Sequence, residues 1–287
     1  MQFAAPRSAS EAAALLQAEP GDARVLAGGS DLLVQMKSGA LRPDLLVDIK
    51  RIPGLDAITA EDGGFRLGAA VPGARLGEHA GVRALWPGVV EAVELIGSTQ
   101  VQGRATVAGN LCNASPAADA VPALVAADAV ARVFGPRGER DCPVSDIPVG
   151  PGRNSLAKGE FVASILLPAR PKRAADAYLR FIPRTEMDIA VASAGVSLVL
   201  DEDGRCTRAR IALGAVGPKV LLAEEAAHCL IGTKLEDAAL AAMAEACSAL
   251  ASPIDDKRGT VAFRKQVVGV LAKRAAKIAQ DRAGGTK

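Results

Sequence analysis

The stretch TVAGNLCNASPAADAVP, from Thr106 to Pro122, combines a loop of small residues with the start of a helix. Gly109 and Asn110 would leave backbone N–H groups and a short polar side chain open to a ligand. We expect Ser115 to cap the helix that follows and Pro116 to lie in its first turn, where no N–H partner is missed. A tight loop before a helix N-terminus is typical of an anion-binding site, although an ordinary capped loop has the same pattern.

A second loop of the same chemistry, AGGSD, spans residues 27–31. It follows a short apolar strand-like run and precedes a predicted helix over Leu32 to Lys37. Its two glycines would let the backbone turn sharply and approach a ligand closely. The chain has neither a GxGxxG pattern nor a Gly-Lys dipeptide, which excludes the Rossmann fingerprint and the P-loop. A dinucleotide bound here would therefore need a different pair of loops.

The rest of the chain indicates an α+β fold. Short helices and strands alternate up to about residue 55, and short strands with glycine-rich turns follow. A connector rich in proline and charge, residues 168–172, indicates a boundary. Beyond it the pattern predicts strands at 177–183, 190–200 and 208–215, and then helices at 223–230, 235–250 and 261–279.

Composition and charge exclude several functions. A net charge of +2 gives no argument for binding nucleic acid or an anionic membrane. No apolar run approaches the roughly 20 residues that cross a bilayer, and the N-terminus has no signal-peptide pattern, so we expect a cytoplasmic protein. The five cysteines are scattered, so no metal site or iron–sulfur cluster is expected within the chain. With two histidines and no triad pattern, no side chain is predicted to be catalytic, and a cofactor must carry the chemistry.

The two loops and four later segments together resemble the FAD-binding medium subunit of molybdenum hydroxylases, the family of xanthine dehydrogenase and aerobic carbon monoxide dehydrogenase. The later segments are LAKGEFVASILLP at 156–168, RTEMDIA at 184–190, ALGAVGPK at 212–219 and SPIDDKRGTVAFR at 252–264. Each segment is weak evidence alone, but the occurrence of all of them in this order is specific to the family. The resemblance runs from about Met1 to Arg282.

The resemblance implies a two-lobed FAD-binding domain of the vanillyl-alcohol-oxidase (PCMH) type at residues 1–170, with lobes at about 1–55 and 56–170. It implies a C-terminal domain like that of the carbon monoxide dehydrogenase flavoprotein at residues 171–287. That domain would contain a three-stranded antiparallel sheet and a helical bundle.

The same resemblance implies a set of FAD-binding residues. Around the FAD pyrophosphate they would be Ala27, Gly28, Gly29, Ser30 and Asp31 from the first loop, and Thr106, Ala108, Gly109 and Asn110 from the second. Asp119 would reach the ribose or adenine side of the cofactor, Ile96 would line the flavin cavity, and Leu156 would pack near the isoalloxazine or adenine. Arg180 would lie near the polar edge of the flavin, and Ile189 would lie against its ring near N5. Relatives often have glycine where this chain has Ala108, and some have an aromatic residue where it has Ile189.

The resemblance also implies partners. A small subunit with [2Fe–2S] clusters would pass electrons to FAD on this chain, a large subunit with a molybdenum cofactor would oxidise the organic substrate, and FAD would pass the electrons to an external acceptor. The expected assembly is a dimer of heterotrimers. One alternative is a stand-alone PCMH-type FAD oxidoreductase with its own substrate site, and another is a non-enzymatic assembly protein. The residues name neither the organic substrate nor the acceptor.

Overall fold

A computed structural model describes residues 1–284. The chain begins with a small three-stranded sheet whose strands run parallel in the order β1-β3-β2. Ser8 caps its first helix by accepting a hydrogen bond from the Glu11 N–H at 3.1 Å. In chain order the elements are β1 (Gln2–Ala4), α1 (Ala9–Ala18), β2 (Ala23–Leu26), α2 (Leu32–Lys37) and β3 (Leu45–Asp48).

An antiparallel five-stranded sheet follows, and a run of short helices is inserted between its second and third strands along the chain. Its central strand, residues 161–167, is a continuous apolar run that is buried along most of its length. The five strands of this sheet, in the order β4-β5-β10-β6-β7, do not include β8 and β9, which pair only with each other. The elements of this part of the chain are β4 (Ile58–Glu61), β5 (Gly64–Gly68), α3 (Gly73–Glu78), α4 (Ala80–Leu85), α5 (Pro87–Glu94), α6 (Thr99–Gln102), α7 (Val107–Cys112), α8 (Ala120–Ala126), β6 (Val130–Gly135), β7 (Gly138–Pro143), β8 (Pro148–Gly150), β9 (Arg153–Asn154) and β10 (Phe161–Leu167).

The C-terminal part has the three antiparallel strands that the sequence predicts, and a two-residue fourth strand extends their sheet. Three helices follow, and the last packs across β11 and β12 through buried alanines. The elements are β11 (Ala174–Phe181), β12 (Ala192–Leu200), β13 (Cys206–Gly214), β14 (Leu221–Leu222), α9 (Glu224–His228), α10 (Asp237–Leu250) and α11 (Val261–Gly284). No helix within residues 1–284 is both long and apolar enough to cross a membrane.

Two hydrophobic cores divide the described chain. One is built almost entirely from residues before 168, and the other from residues after 174. Helix α8 joins them because it packs on the C-terminal sheet at two glycines. A Cβ on Gly195 would lie 2.7 Å from the Pro122 carbonyl oxygen, and one on Gly214 would lie 2.6 Å from the Pro122 ring. Larger residues at either position would therefore push the helix away from the sheet.

Candidate functional site

The first predicted loop, residues 27–31, connects β2 to α2 and is held at its start by a lysine. Lys50 donates a hydrogen bond from Nζ to the Ala27 carbonyl oxygen at 3.1 Å and forms an ion pair with Asp48 at 2.7 Å. Gly29 has a φ of +77°, which favours glycine. No backbone N–H of residues 28–31 donates a hydrogen bond to another described residue. The loop therefore offers free donors to a ligand.

The second predicted loop is wrong in part, because residues 107–112 form the short helix α7. Thr106 caps it, and its Oγ1 accepts a hydrogen bond from the Gly109 N–H at 3.0 Å. The N–H group of Ala108, in the first turn, donates to no acceptor within residues 1–284, whereas the antiparallel bridge between Pro72 and Thr106 engages the Val107 N–H with the Val71 carbonyl oxygen. The N-terminus of α7, rather than a loop, therefore provides the N–H donor expected to bind an anion.

The predicted helix start at Ser115 and Pro116 is also wrong. Helix α8 begins at Ala120, and its first N–H donates to Oδ1 of Asn110 at 3.1 Å. Residues 115–118 form a turn, in which the Ser115 hydroxyl accepts a hydrogen bond from the Ala117 N–H at 3.3 Å. Ala114 has a φ of +51°, so the chain changes direction before Ser115 can start a helix.

The two segments meet at one cleft. A Cβ on Gly28 would lie 2.0 Å from the carbonyl oxygen of Arg104, so only glycine permits the two backbones to approach this closely. A hydrogen bond of 3.2 Å from Gln35 on α2 to Asn113 after α7 joins them a second time. The cleft between them has a volume of about 660 Å³, within the range of small-molecule and cofactor sites.

Eleven of the fourteen residues predicted to bind the cofactor line this cleft. They are Ala27, Gly28, Gly29, Ser30, Asp31, Ile96, Thr106, Ala108, Gly109, Asn110 and Leu156. Sequence reasoning missed part of the wall, including Arg24, Asn154 and Lys158. Asn154 fastens this wall by donating a hydrogen bond to the Cys112 carbonyl oxygen at 2.9 Å. A contact across 42 residues leaves no local pattern that would have indicated it.

Asp119 and Arg180, which were predicted near the cofactor, lie outside the cleft lining and bind each other. Arg180 Nη1 lies 2.6 Å from one carboxylate oxygen of Asp119, and the Tyr178 hydroxyl donates to the other at 3.0 Å. Burial raises the pKa of Asp119 to about 6, although the charge of Arg180 and both hydrogen bonds act to lower it. Tyr178 was not predicted, because partners about 60 residues apart leave no sequence signal.

Ile189 also lies outside the cleft lining, on the segment between β11 and β12, and its exposed fraction is 53%. That segment nevertheless touches the wall of the cleft. The Met187 N–H donates to the Gly97 carbonyl oxygen at 3.3 Å, next to Ile96. Ile189 therefore lies on a surface segment that is anchored beside the cleft rather than within it.

The chemistry of the cleft fits a dinucleotide pyrophosphate. Free N–H groups from two segments suit anionic oxygens. A Cβ on Gly109 would have one close neighbour, Thr106 Oγ1 at 2.9 Å, so the position borders open space. Among the described residues, no cluster of three or more metal-ligating side chains is found. Two backbone segments that converge on one cleft are the arrangement expected of a protein that holds a dinucleotide cofactor without a Rossmann or P-loop motif.

Comparison with known proteins identifies the class. Residues 1–170 match the family model of the FAD-binding domain in molybdopterin dehydrogenase, and residues 177–279 match that of the carbon monoxide dehydrogenase flavoprotein C-terminal domain. The chain belongs to this family of FAD-binding subunits of molybdenum hydroxylases, and it is an oxidoreductase component.

Individual relatives align with this chain along almost its whole length. The alpha subunit of the 6-hydroxypseudooxynicotine dehydrogenase complex of Paenarthrobacter nicotinovorans is 32% identical, over 96% of this chain and 94% of that protein. The carbon monoxide dehydrogenase medium chain of Hydrogenophaga pseudoflava is 32% identical, over 96% and 95%. A solved structure of carbon monoxide dehydrogenase from the same organism superposes with a TM-score of 0.94 at 33% identity, covering 98% of both chains.

Proposed function

We propose that this chain accepts electrons onto FAD from [2Fe–2S] clusters of a small partner subunit and passes them to an external acceptor. A large partner subunit with the molybdenum cofactor would oxidise the organic substrate, and the expected assembly is a dimer of heterotrimers. The observation that carries the proposal is the single cleft on which the two predicted cofactor segments converge. Similarity to medium chains of carbon monoxide dehydrogenase over nearly the full length supports the assignment of partners.

The residues of this chain would bind and orient the cofactor. The free N–H groups of residues 28–31, together with that of Ala108, would hold the pyrophosphate oxygens, and Ile96 and Leu156 would provide apolar contacts. FAD, when bound, supplies both one-electron and two-electron redox chemistry. We propose the domain limits 1–170 and 171–287 for the FAD-binding and C-terminal domains. The cytoplasmic location expected from the sequence remains a prediction.

The roles that we propose for Arg180 and Ile189 differ from those that the resemblance implies. Asp119 neutralises Arg180 within the chain, so any effect of Arg180 on the cofactor would be reduced by that ion pair. Ile189 would approach the cofactor only where the anchored segment at Met187 meets the cleft wall. The stand-alone flavoenzyme stays the second candidate, since a single chain with one cofactor cleft is compatible with it.

Purification of the native protein through a tag on this chain distinguishes the candidates. The proposal expects FAD, iron and molybdenum to co-purify with two further subunits. FAD alone, with no second subunit, would overturn the proposed partners and favour a stand-alone flavoenzyme. Absence of flavin from protein purified under gentle conditions and offered excess FAD would overturn the cofactor assignment itself.

A further inference from the structure

Three parts of the C-terminal half of the chain meet at one buried arginine. Arg264, whose side chain is 4% exposed, donates from Nη1 to the Val191 carbonyl oxygen at 2.8 Å and to the Ala215 carbonyl oxygen at 3.4 Å. Its Nη2 forms an ion pair with Asp256 at 2.7 Å. One side chain thus joins the segment between β11 and β12, the residue that follows β13 and the loop before α11. None of these four residues lines the cofactor cleft, so the junction lies outside it.

The segment between β11 and β12, residues 182–191, reaches the wall of the cofactor cleft. Its base is closed by a hydrogen bond of 2.9 Å from the Val191 N–H to the Phe181 carbonyl oxygen. In its middle, the Met187 N–H donates to the carbonyl oxygen of Gly97, directly after a residue of the cleft lining. Met187 has a φ of +53°, a conformation that residues other than glycine keep only where surrounding contacts hold it. The middle of the segment is therefore held beside the cleft by contacts with the rest of the protein.

Asp188 is the polar anchor of this segment. Its side chain is 6% exposed, and its Oδ1 accepts a hydrogen bond from the Ile189 N–H at 2.8 Å. Its carboxylate forms ion pairs with Arg184 at 3.2 Å and with Arg258 at 3.4 Å. Arg184 belongs to the same segment and its side chain is 69% exposed, so it cannot fix the segment to the rest of the protein. Arg258, on the loop before α11, is the ion-pair partner that can.

The loop before α11 holds Arg258 in a defined position. Asp256 and Gly259 form an antiparallel bridge, which makes this part of the loop a tight turn. The Arg258 N–H donates to Oδ1 of Asp256 at 2.8 Å, and the same oxygen lies 2.7 Å from Nη2 of Arg264. Because Arg264 also binds the end of the segment between β11 and β12, the turn and that segment share one support. Removal of the Arg258 guanidinium would leave the almost buried Asp188 carboxylate without its link to this support.

Met187 and Ile189, on either side of Asp188, are apolar and more than half exposed. Apolar side chains beside a cofactor cleft keep water and charged solutes away from it. We propose that Arg258 is a positioning residue. Through its ion pair with Asp188 it keeps Met187 and Ile189 beside the cleft, where they shield the bound cofactor from solutes in bulk solvent. This role rests on the proposed function, since only a cleft that holds FAD contains a flavin ring to shield.

Two measurements on the full chain test this role, and each compares wild type with Arg258→Gln. The first is quenching of the fluorescence of bound FAD by iodide, at constant ionic strength and after removal of unbound FAD. We expect the Stern–Volmer constant to rise by about threefold or more, because the segment opens more often. The second is the rate of tryptic cleavage between Arg184 and Thr185, followed by mass spectrometry. We expect this rate to rise by about fivefold or more, because cleavage follows the population in which the segment is released.

Lys257→Gln is the matched control, because it removes the same charge from the preceding residue, whose exposed side chain makes no ion pair within residues 1–284. Both measurements should match wild type in this control. Arg258→Lys should stay close to wild type, because the contact uses one donor atom and lysine keeps the charge.

Each outcome decides the proposal. Cleavage of Arg258→Gln at the rate of Lys257→Gln would overturn the positioning role, and faster cleavage with unchanged quenching would overturn the shielding. If Arg258→Gln does not fold, Asp188→Asn decides by the same criteria. A wild-type chain that binds no FAD would overturn the cofactor assignment and the shielding together, while the cleavage rates would still show whether Arg258 holds the segment.

Discussion

Replacement of Gly109 by valine should separate cofactor binding from folding. The position lies inside α7, where its N–H is held by Thr106, and a Cβ there would meet only Thr106 Oγ1 closely, at 2.9 Å. A branched side chain would extend into the cleft beside the free N–H group of Ala108. If a pyrophosphate loses this donor, a hydrogen bond to a charged group worth about 1.5–3 kcal/mol, binding weakens by that amount. That is a rise in Kd of roughly 10- to 150-fold.

The measurement is the ratio of flavin to protein after purification, followed by titration of the apoprotein with FAD by fluorescence. Gly103→Val is a matched control, because Gly103 has a φ of −65°, lies outside the cleft lining, and would place its Cβ at an ordinary 3.6 Å from the Gln100 carbonyl oxygen. Circular dichroism should show that both variants are folded. If Gly109→Val retains stoichiometric FAD with a Kd close to that of the control, the two-segment cleft does not hold the pyrophosphate.

Two further variants test a contact that holds the first loop and a hydrogen bond of the buried cluster around Asp119. Lys50→Met removes the hydrogen bond to the Ala27 carbonyl oxygen, so it should weaken FAD binding by about tenfold while the melting temperature of the apoprotein changes little. Lys50→Arg should restore binding. Equal affinity in all three proteins would contradict the role of Lys50. Tyr178→Phe leaves the buried carboxylate of Asp119 with one hydrogen-bond donor fewer. It should lower the free energy of unfolding in urea by about 1.5–3 kcal/mol and raise the pKa of Asp119 further. A decrease in the free energy of unfolding below about 0.5 kcal/mol would show that the hydrogen bond from Tyr178 is dispensable.

Elements with a strong local pattern were predicted well. The helix at residues 32–37 has the predicted limits, because a glycine turn before a helix is a local signal. The six-residue helix α7 was missed, since it is shorter than two turns and contains a glycine and an asparagine, which are poor helix formers. Its cap at Thr106, a local feature, was the available sign of a helix start.

Side-chain contacts between residues that are far apart in the sequence could not be predicted. Asp119 and Arg180 were each assigned to the cofactor, yet in the structure their side chains satisfy one another. A carboxylate and a guanidinium predicted at one site attract each other as well as any ligand, and burial strengthens that attraction. The partner that completes this cluster, Tyr178, lies two residues before Arg180 on β11, with its side chain on the same face of the strand.

Gly28 shows why a cofactor cleft needs tertiary information even where its segments are recognisable. From the sequence, its glycine is explained by a sharp turn or by close approach to a ligand. In the structure, glycine is required at position 28 by contact with the protein itself, because the Arg104 carbonyl oxygen lies about where a Cβ would be. The residue with the positive φ is its neighbour, Gly29. The two adjacent glycines thus have separate physical reasons: Gly29 permits the turn, and Gly28 permits the approach of the second segment that turns two separate anion-binding elements into one cleft.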